Sequence, residues 1–304
     1  MYDTIVIGGG PAGITAGIYA ARGNLKTLIL HFDSSSLEKA TKIENYYGFE
    51  DGISGKKLYE DGIKQAKNIG IEINKEEVIK IEYETNGYKV ITTENEYLTK
   101  TIILALGTTK KSSNISGISE FEGRGVSYCA ICDGFFYKDK EVSVLGSGKY
   151  ALSETNDLIN VAKKITILTN GEKAPEFRAD NVEIKTEKIK EVRGTERVEK
   201  VIFEDNSKID IDGIFVAQGV AGANDFAKKM GIMVEKNYIK VDEKMKTNIN
   251  GIYACGDCVG GLLQISKSVY EGTIAGLEVI KYVKEKEMKW SFLGRSKKGS
   301  PKLK

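Results

Sequence analysis

Asp3-Thr4-Ile5-Val6-Ile7-Gly8-Gly9-Gly10-Pro11-Ala12-Gly13 decides how the rest of the chain is read. Asp3 to Ile7 is an apolar, β-rich run, and a full Gly-x-Gly-x-x-Gly follows at once at Gly8, Gly10 and Gly13. Ile14 to Arg22 is rich in small residues, as suits a helix packed closely on a sheet, and Leu25 to Leu30 reads as a second buried strand. Strand, glycine turn, helix, strand is the βαβ unit of a dinucleotide-binding fold. The first glycine makes the tight turn, the second lets backbone approach a pyrophosphate, and the third lets helix and strand touch.

The pattern returns at mid-chain. Glu141 to Leu145 is a strand, Gly146-Ser147-Gly148 a turn, Lys149 to Ala162 a helix and Lys164 to Leu168 the next strand. A meander follows each copy: Tyr83 to Ile91 turns over Asn86-Gly87, a strong hairpin signal, and Val182 to Phe203 turns near Gly194. Each meander leads to an apolar strand ending in glycine, Thr101 to Gly107 and Gly213 to Gly219. One nucleotide-binding unit is duplicated. Gly251 to Ala254, closed by Gly256-Asp257 and followed by a helix from about Gln264 to Val283, has no partner in the second copy and goes with the first. The expected fold is α/β, with two Rossmann-like dinucleotide-binding domains of three-layer ββα form, the second inserted into the first. The first is expected to span 1–111 and 244–304 and the second 112–243, with hinge crossings near Lys111 and Lys244.

A chain of 304 residues, 41% hydrophobic and 29% charged, has room for two such domains. A net charge of +2 gives no reason to expect nucleic acid or membrane as a partner, and no apolar run spans a bilayer. The N-terminus runs straight into a strand, so no secretory signal is read and the protein is expected to be cytoplasmic.

The four cysteines form two Cys-x-x-Cys pairs, Cys129/Cys132 and Cys255/Cys258. Without a signal peptide, such pairs point to redox chemistry or metal binding rather than to structural stapling. Cys129 and Cys132 can close a small disulfide ring, and the adjoining Asp133 can supply the proton that dithiol exchange needs. Zinc needs two further ligands, yet the chain holds one histidine and the second pair lies at a strand end, so no metal is expected. Cys255 and Cys258 read as small buried side chains, with a redox role as the lesser alternative. The second glycine loop carries Ala151 for the third glycine: either a nucleotide still fits, or the loop has kept its shape after losing its ligand. His31 stands where an acidic ribose-binding residue usually ends the second strand, and it either binds the ribose or fills a surface position. The basic tail, Arg295, Lys297, Lys298, Lys302 and Lys304, either docks an acidic partner or is a solvated end.

Taken together, these motifs resemble the low-molecular-weight thioredoxin reductase family over nearly the whole chain. The similarity rests on Gly8 to Gly13, on Ile43-Glu44-Asn45-Tyr46, on Gly123 to Phe136 with Cys129-Ala130-Ile131-Cys132-Asp133 at its centre, and on Gly256-Asp257. The resemblance implies FAD in the first domain, an NAD(P)-binding-like second domain that carries the cysteines, and a homodimer. It gives Asp257 the ribityl chain and sets Asn45 facing the flavin. Cys132 would exchange electrons with the flavin, Cys129 would attack the thioredoxin disulfide, and Asp133 would manage protons. The second domain would rotate between flavin and thioredoxin. The cofactor-binding set expected on this basis is Gly8, Gly10, Pro11, Ala12, Gly13, His31, Leu37, Asn45, Val78, Gly107, Asp257, Gln264 and Ile265.

Three departures bear on the electron donor. Ser34-Ser35-Ser36 replaces a Gly-Gly-Gln loop, His31 replaces the acidic ribose residue, and Thr169-Asn170-Gly171 replaces the His-Arg-Arg that holds the 2′-phosphate of NADPH. Losing one such charged contact costs about 1.5–3 kcal/mol. Lys149-Tyr150 also replaces a smaller pair, and the tyrosine can fill the nicotinamide path. The donor expected is therefore ferredoxin, as in similarly stripped relatives, or NADH, rather than NADPH. The acceptor is thioredoxin or a thioredoxin-like protein. A peroxiredoxin or glutaredoxin-like acceptor is the second enzymatic reading, though no extra thioredoxin-like domain precedes the first strand. A flavin- or nucleotide-binding redox sensor without reductase turnover is the third.

Overall fold

The computed structural model describes residues 1–32, 36–107, 113–218 and 223–296. Ser34, Ser35, Lys111, Gly219 and the tail lysines from Lys297 onward lie outside the described residues. In chain order the first elements are β1 (Tyr2–Ile7), α1 (Pro11–Arg22), β2 (Thr27–His31), α2 (Gly55–Asn68), β3 (Glu72–Lys75), β4 (Val78–Glu84), β5 (Gly87–Thr92) and β6 (Glu96–Leu104). Then come β7 (Val126–Ser127), α3 (Ala130–Asp133), β8 (Glu141–Leu145), α4 (Lys149–Leu158), β9 (Lys164–Leu168), β10 (Val182–Lys185), β11 (Ile189–Gly194), β12 (Val198–Phe203), β13 (Lys208–Asp210), β14 (Gly213–Val216) and α5 (Ala223–Lys229). Two short strands β15 (Val234–Glu235) and β16 (Tyr238–Ile239), then β17 (Ile252–Ala254) and α6 (Ile265–Ser296), complete the series.

The chain divides into a first unit, Met1–Thr108 with Ile232–Lys304, and a second unit, Thr109–Gly231, inserted into it. In the first, β3, β2, β1, β6 and β17 lie side by side and parallel. The length of β6 lets it serve two partners along one edge. Its first half, Glu96 to Thr99, pairs antiparallel with β5, and Ile102 to Leu104 pair with β17. The meander β4-β5-β6 therefore peels away from the parallel sheet. A buried cluster joins Val6, Ile29, Ile103 and Tyr253 of the sheet to Ala16 and Ala20 of α1 and Ala275 and Val279 of α6. The two helices meet through small residues: a Cβ on Gly272 would lie 2.3 Å from the Ala12 carbonyl oxygen.

The second unit repeats the plan. A parallel sheet runs β10-β9-β8-β14-β7, and a separate antiparallel sheet runs β11-β12-β13. Leu145, Leu168, Ile214 and Val216 of the first pack against Val192, Val201 and Phe203 of the second. Both units are thus Rossmann-like with an added antiparallel meander, the expected three-layer form. The pairing of β17 with β6 gives the late strand to the first unit, as its lack of a second-copy partner suggested.

Some bounds differ from the sequence reading. The turn between β4 and β5 is Thr85-Asn86, with Gly87 already paired to Glu84. Helix α4 stops at Leu158, and α6 runs on past Val283 to Ser296. The return crossing falls at Ile232 rather than near Lys244. The β15-β16 hairpin holds the intervening residues in the first unit. Met233 N–H donates to Asn248 Oδ1 at 2.8 Å, and a Cβ on Gly260 would meet the Tyr238 ring at 2.8 Å.

Candidate functional site

The first glycine loop is a cradle that side chains would fill. Gly8 has φ +121°, and a Cβ there would lie 2.1 Å from the Ala105 carbonyl oxygen. A Cβ on Gly13 would lie 1.9 Å from the Gly8 carbonyl oxygen. These contacts seat the start of α1 directly on the ends of β1 and β6. Gly10 caps the helix with Pro11 at its first position, and Gly10 O accepts Ile14 N–H at 2.9 Å. The N–H groups of Ala12 and Gly13 belong to the first turn, which a helix cannot satisfy from within, and they suit an anion.

The structure brings His31 and the Gly256-Asp257 turn against this loop and places the other expected residues on their own elements. His31 ends β2; a Cβ on Gly9 would meet its Cβ at 3.1 Å, and Tyr59 OH lies 3.2 Å from His31 Nδ1. Asn45 Nδ2 donates to Gln264 Oε1 at 3.1 Å, joining two predicted positions far apart in sequence. The Gly256-Asp257 turn abuts the loop, since a Cβ on Gly256 would lie 2.8 Å from Ala12 Cβ. Gly107 follows β6 with φ +71°, and Ile265 opens α6. Leu37 stands in the turn Ser36–Lys39, and Val78 heads β4.

Three residues of α6 that sequence reasoning missed hold the Gly256-Asp257 turn. Lys267 Nζ donates to the carbonyls of Gly256 (2.9 Å) and Gly260, Ser268 Oγ donates to Asp257 Oδ1 (3.3 Å), and Glu271 accepts Gly256 N–H (2.9 Å). Their i, i+1, i+4 spacing on an amphipathic helix is an ordinary surface pattern and carries no signal. Amide donors at the glycine loop with a carboxylate on the adjoining turn form a donor set that fits a flavin dinucleotide, with its pyrophosphate on the loop and Asp257 on a hydroxyl.

In the second unit, Cys129 and Cys132 form a disulfide with Cα atoms 5.3 Å apart. Cys129 lies at the start of α3, buried, and its sulfur accepts Cys132 N–H at 3.2 Å. That contact favours a thiolate when the bond opens. Cys132 is exposed, among exposed Ile131, Phe135 and Phe136. The resemblance gives attack on the partner to Cys129; here Cys132 is the exposed residue of the pair and Cys129 the buried one. Asp133 accepts Ser127 Oγ–H at 2.6 Å, and Ser127 Oγ accepts Cys129 N–H at 3.1 Å. Ser127 ties the carboxylate to the redox segment.

Two buried charges also reach this segment. Glu154 of α4 accepts Ala130 N–H at 2.7 Å and pairs with Lys229 of α5. Burial pushes the Glu154 carboxyl up against the opposing pull of Lys229.

The second glycine loop differs from the first. Ser147 Oγ donates to the Glu172 carboxylate, and Tyr150 is buried. Thr169-Asn170-Gly171 forms a tight turn in which Thr169 Oγ1 bonds Glu172 O (2.7 Å) and Asn170 Oδ1 accepts Ile189 N–H (2.8 Å). The Glu172 carboxylate stands beside this loop. Cys255 and Cys258 are free and buried, and Cys258 Sγ donates to Cys255 O at 3.2 Å. Burial pushes both thiols up, Cys258 to about 12. Among the described residues, no helix is long and apolar enough to cross a membrane.

A duplicated dinucleotide fold with a Cys-x-x-Cys disulfide defines a class, and the family model for pyridine nucleotide-disulphide oxidoreductases matches residues 2–272. The thioredoxin reductase of Bacillus subtilis (strain 168) is 33% identical, over 94% of this chain and 96% of that protein. The crystal structure of the atypical thioredoxin reductase of Desulfovibrio vulgaris Hildenborough superposes with a TM-score of 0.85 at 34% identity, covering 94% of this chain and 99% of that one. A ferredoxin-flavin thioredoxin reductase from Clostridium acetobutylicum gives a TM-score of 0.67 at 34% identity, covering 93% and 98%. The chain belongs to the pyridine nucleotide-disulphide oxidoreductases and, within them, to the thioredoxin reductases. It is a flavoprotein oxidoreductase.

Proposed function

We propose that this chain passes electrons through FAD and the Cys129–Cys132 couple to thioredoxin or a thioredoxin-like protein, taking them from a donor other than NADPH. The observation that carries this is the disulfide itself, with Asp133 and Ser127 fixed beside it and Cys132 exposed among three exposed apolar side chains. Gly8, Gly10, Ala12, Gly13, Asn45 and Asp257 would hold FAD, which in its reduced form would supply the electron pair that opens the disulfide, with Cys132 as the sulfur that would exchange electrons with it. The exposure of Cys132 also supports it, in place of Cys129, as the thiolate that attacks the partner disulfide. The partner's leaving sulfur takes a proton, for which Asp133 is the nearby acid. Cys129, stabilised as a thiolate by the Cys132 N–H, then attacks Cys132 Sγ, re-forms the ring and releases the second partner thiol. Ile131, Phe135 and Phe136 offer the partner an apolar footing.

Glu172 beside the second glycine loop supports loss of NADPH. A 2′-phosphate there would meet the Glu172 carboxylate. The similarity to a ferredoxin-flavin enzyme favours ferredoxin over NADH. The second unit would then serve as a carrier of the cysteines. We take the protein to be a cytoplasmic homodimer.

The test is anaerobic reduction of the bound flavin by NADPH, NADH and reduced ferredoxin in turn, followed by addition of oxidised thioredoxin. Ferredoxin should bleach the flavin and reduce thioredoxin, and NADPH at micromolar levels should not. Cys129→Ser should keep FAD, lose turnover and trap thioredoxin as a mixed disulfide through Cys132. Full turnover in that variant would reject the reading.

A further inference from the structure

The buried pair Glu154–Lys229 has no place in the electron path, yet it touches the redox segment. Glu154 is 1% exposed, and the Lys229 side chain is 4% exposed. A buried ion pair is weak support for stability, because an apolar pair of similar volume usually does as well. What an apolar pair cannot do is accept the Ala130 N–H, which Glu154 does at 2.7 Å. Ala130 follows Cys129 directly. The residue before Cys129 is held from the same helix, because Tyr150 OH donates to Tyr128 O at 3.4 Å. Tyr150 and Glu154 are four residues apart, so they share one face of α4. Lys229 completes the group, its ammonium 4.7 Å from the centre of the Tyr150 ring.

We propose that Glu154 is a positioning residue for the Cys129–Cys132 couple. Through Ala130 N–H, and with Tyr150 acting on Tyr128, it fixes the Cys129 backbone on both sides, while Lys229 balances the carboxylate. Fixing one sulfur raises its effective concentration toward the other and favours closure of the ring. Helix α4, which in a dinucleotide fold presents its N-terminus to a nucleotide, here steadies the disulfide with its body.

Two double variants separate this from a merely structural role. Glu154→Gln with Lys229→Met removes both charges but keeps an acceptor for Ala130. Glu154→Leu with Lys229→Met removes the charges and the acceptor. The readout is the equilibrium of Cys129–Cys132 with dithiothreitol, in FAD-loaded protein, by alkylation and peptide mass. In that exchange the protein disulfide gains two electrons and two protons, and dithiothreitol closes to its own cyclic disulfide.

The Gln variant should stay within about twofold of the unsubstituted protein, and the Leu variant should be reduced about tenfold more readily, about 30 mV for a two-electron couple. Equal constants for the two would overturn the proposal. Tyr150→Phe, measured alongside, loses the other hold without touching a charge and should shift the same way by about threefold. An unchanged constant there overturns the proposal even if the Leu variant does not fold. The inference rests on the couple turning over in the proposed reaction. The equilibrium needs no partner protein, however, so failure of that reaction would show in turnover of Cys129→Ser and not in these constants.

Discussion

Lys229→Met leaves Glu154 as a buried carboxylate without its counter-charge. Both groups are almost fully enclosed, at 1% and 4% exposure, so water cannot replace the lost partner. Removing one member of such a pair costs about 3–5 kcal/mol. For a unit of this size, that lowers the melting temperature by roughly 10–20 °C. The loss should depend on pH in a fixed sense. Burial already raises the Glu154 carboxyl, and without Lys229 it rises further. A carboxyl whose folded pKa lies above its unfolded value binds more protons when folded. The folded state therefore gains stability as pH falls and loses it as pH rises between those two values, by about 1.4 kcal/mol per pH unit. The deficit of Lys229→Met should accordingly be smaller at mildly acidic pH than at mildly alkaline pH. Calorimetry of the FAD-loaded variant at the two pH values measures it, read on the transition of the second unit. A melting temperature unchanged from the parent, or a deficit equal at both pH values, would refute the burial argument for this pair.

Gly13→Ala forces a Cβ to within 1.9 Å of the Gly8 carbonyl oxygen, so α1 must lift from its seat. Overpacking of this kind costs about 1–3 kcal/mol, or roughly 5- to 150-fold in FAD affinity, and flavin absorbance per chain after desalting reads it. Asp133→Asn should leave the disulfide intact and slow thioredoxin reduction by about a hundredfold or more; a rate near the parent's would remove Asp133 from the proton path. Cys255 and Cys258, buried and with thiols pushed far up, should resist iodoacetamide at mildly alkaline pH in the folded protein and react fully once it is unfolded. Rapid labelling of the native chain at these positions would contradict their burial.

Much of the site was legible because it is local. Cys129, Cys132 and Asp133 fall within five consecutive residues, and Gly8 to Gly13 within six, so chemistry and spacing could be read together. The duplication was legible for the same reason, since each copy announces itself by strand, glycine turn and helix in one short stretch. The hairpin β15-β16 was not, because two-residue strands carry no periodicity, and so the return crossing was set too late. Glu154 and Lys229 were missed because a single acid or base on a helix is ordinarily a solvated residue; only packing of α3, α4 and α5 buries both charges and turns one toward Ala130. The exposure of Cys132 and the burial of Cys129 were likewise beyond a motif that treats both sulfurs alike.

By itself, the sequence determined the duplicated dinucleotide fold and the Cys-x-x-Cys pair with its adjoining aspartate, since glycine spacing and thiol chemistry are properties of neighbouring residues. Tertiary structure alone decided which cysteine of the pair is exposed, which α6 side chains hold the Gly256-Asp257 turn, and how Glu154 reaches the disulfide segment. Those depend on burial and on contacts between residues far apart in the chain, which no local pattern encodes.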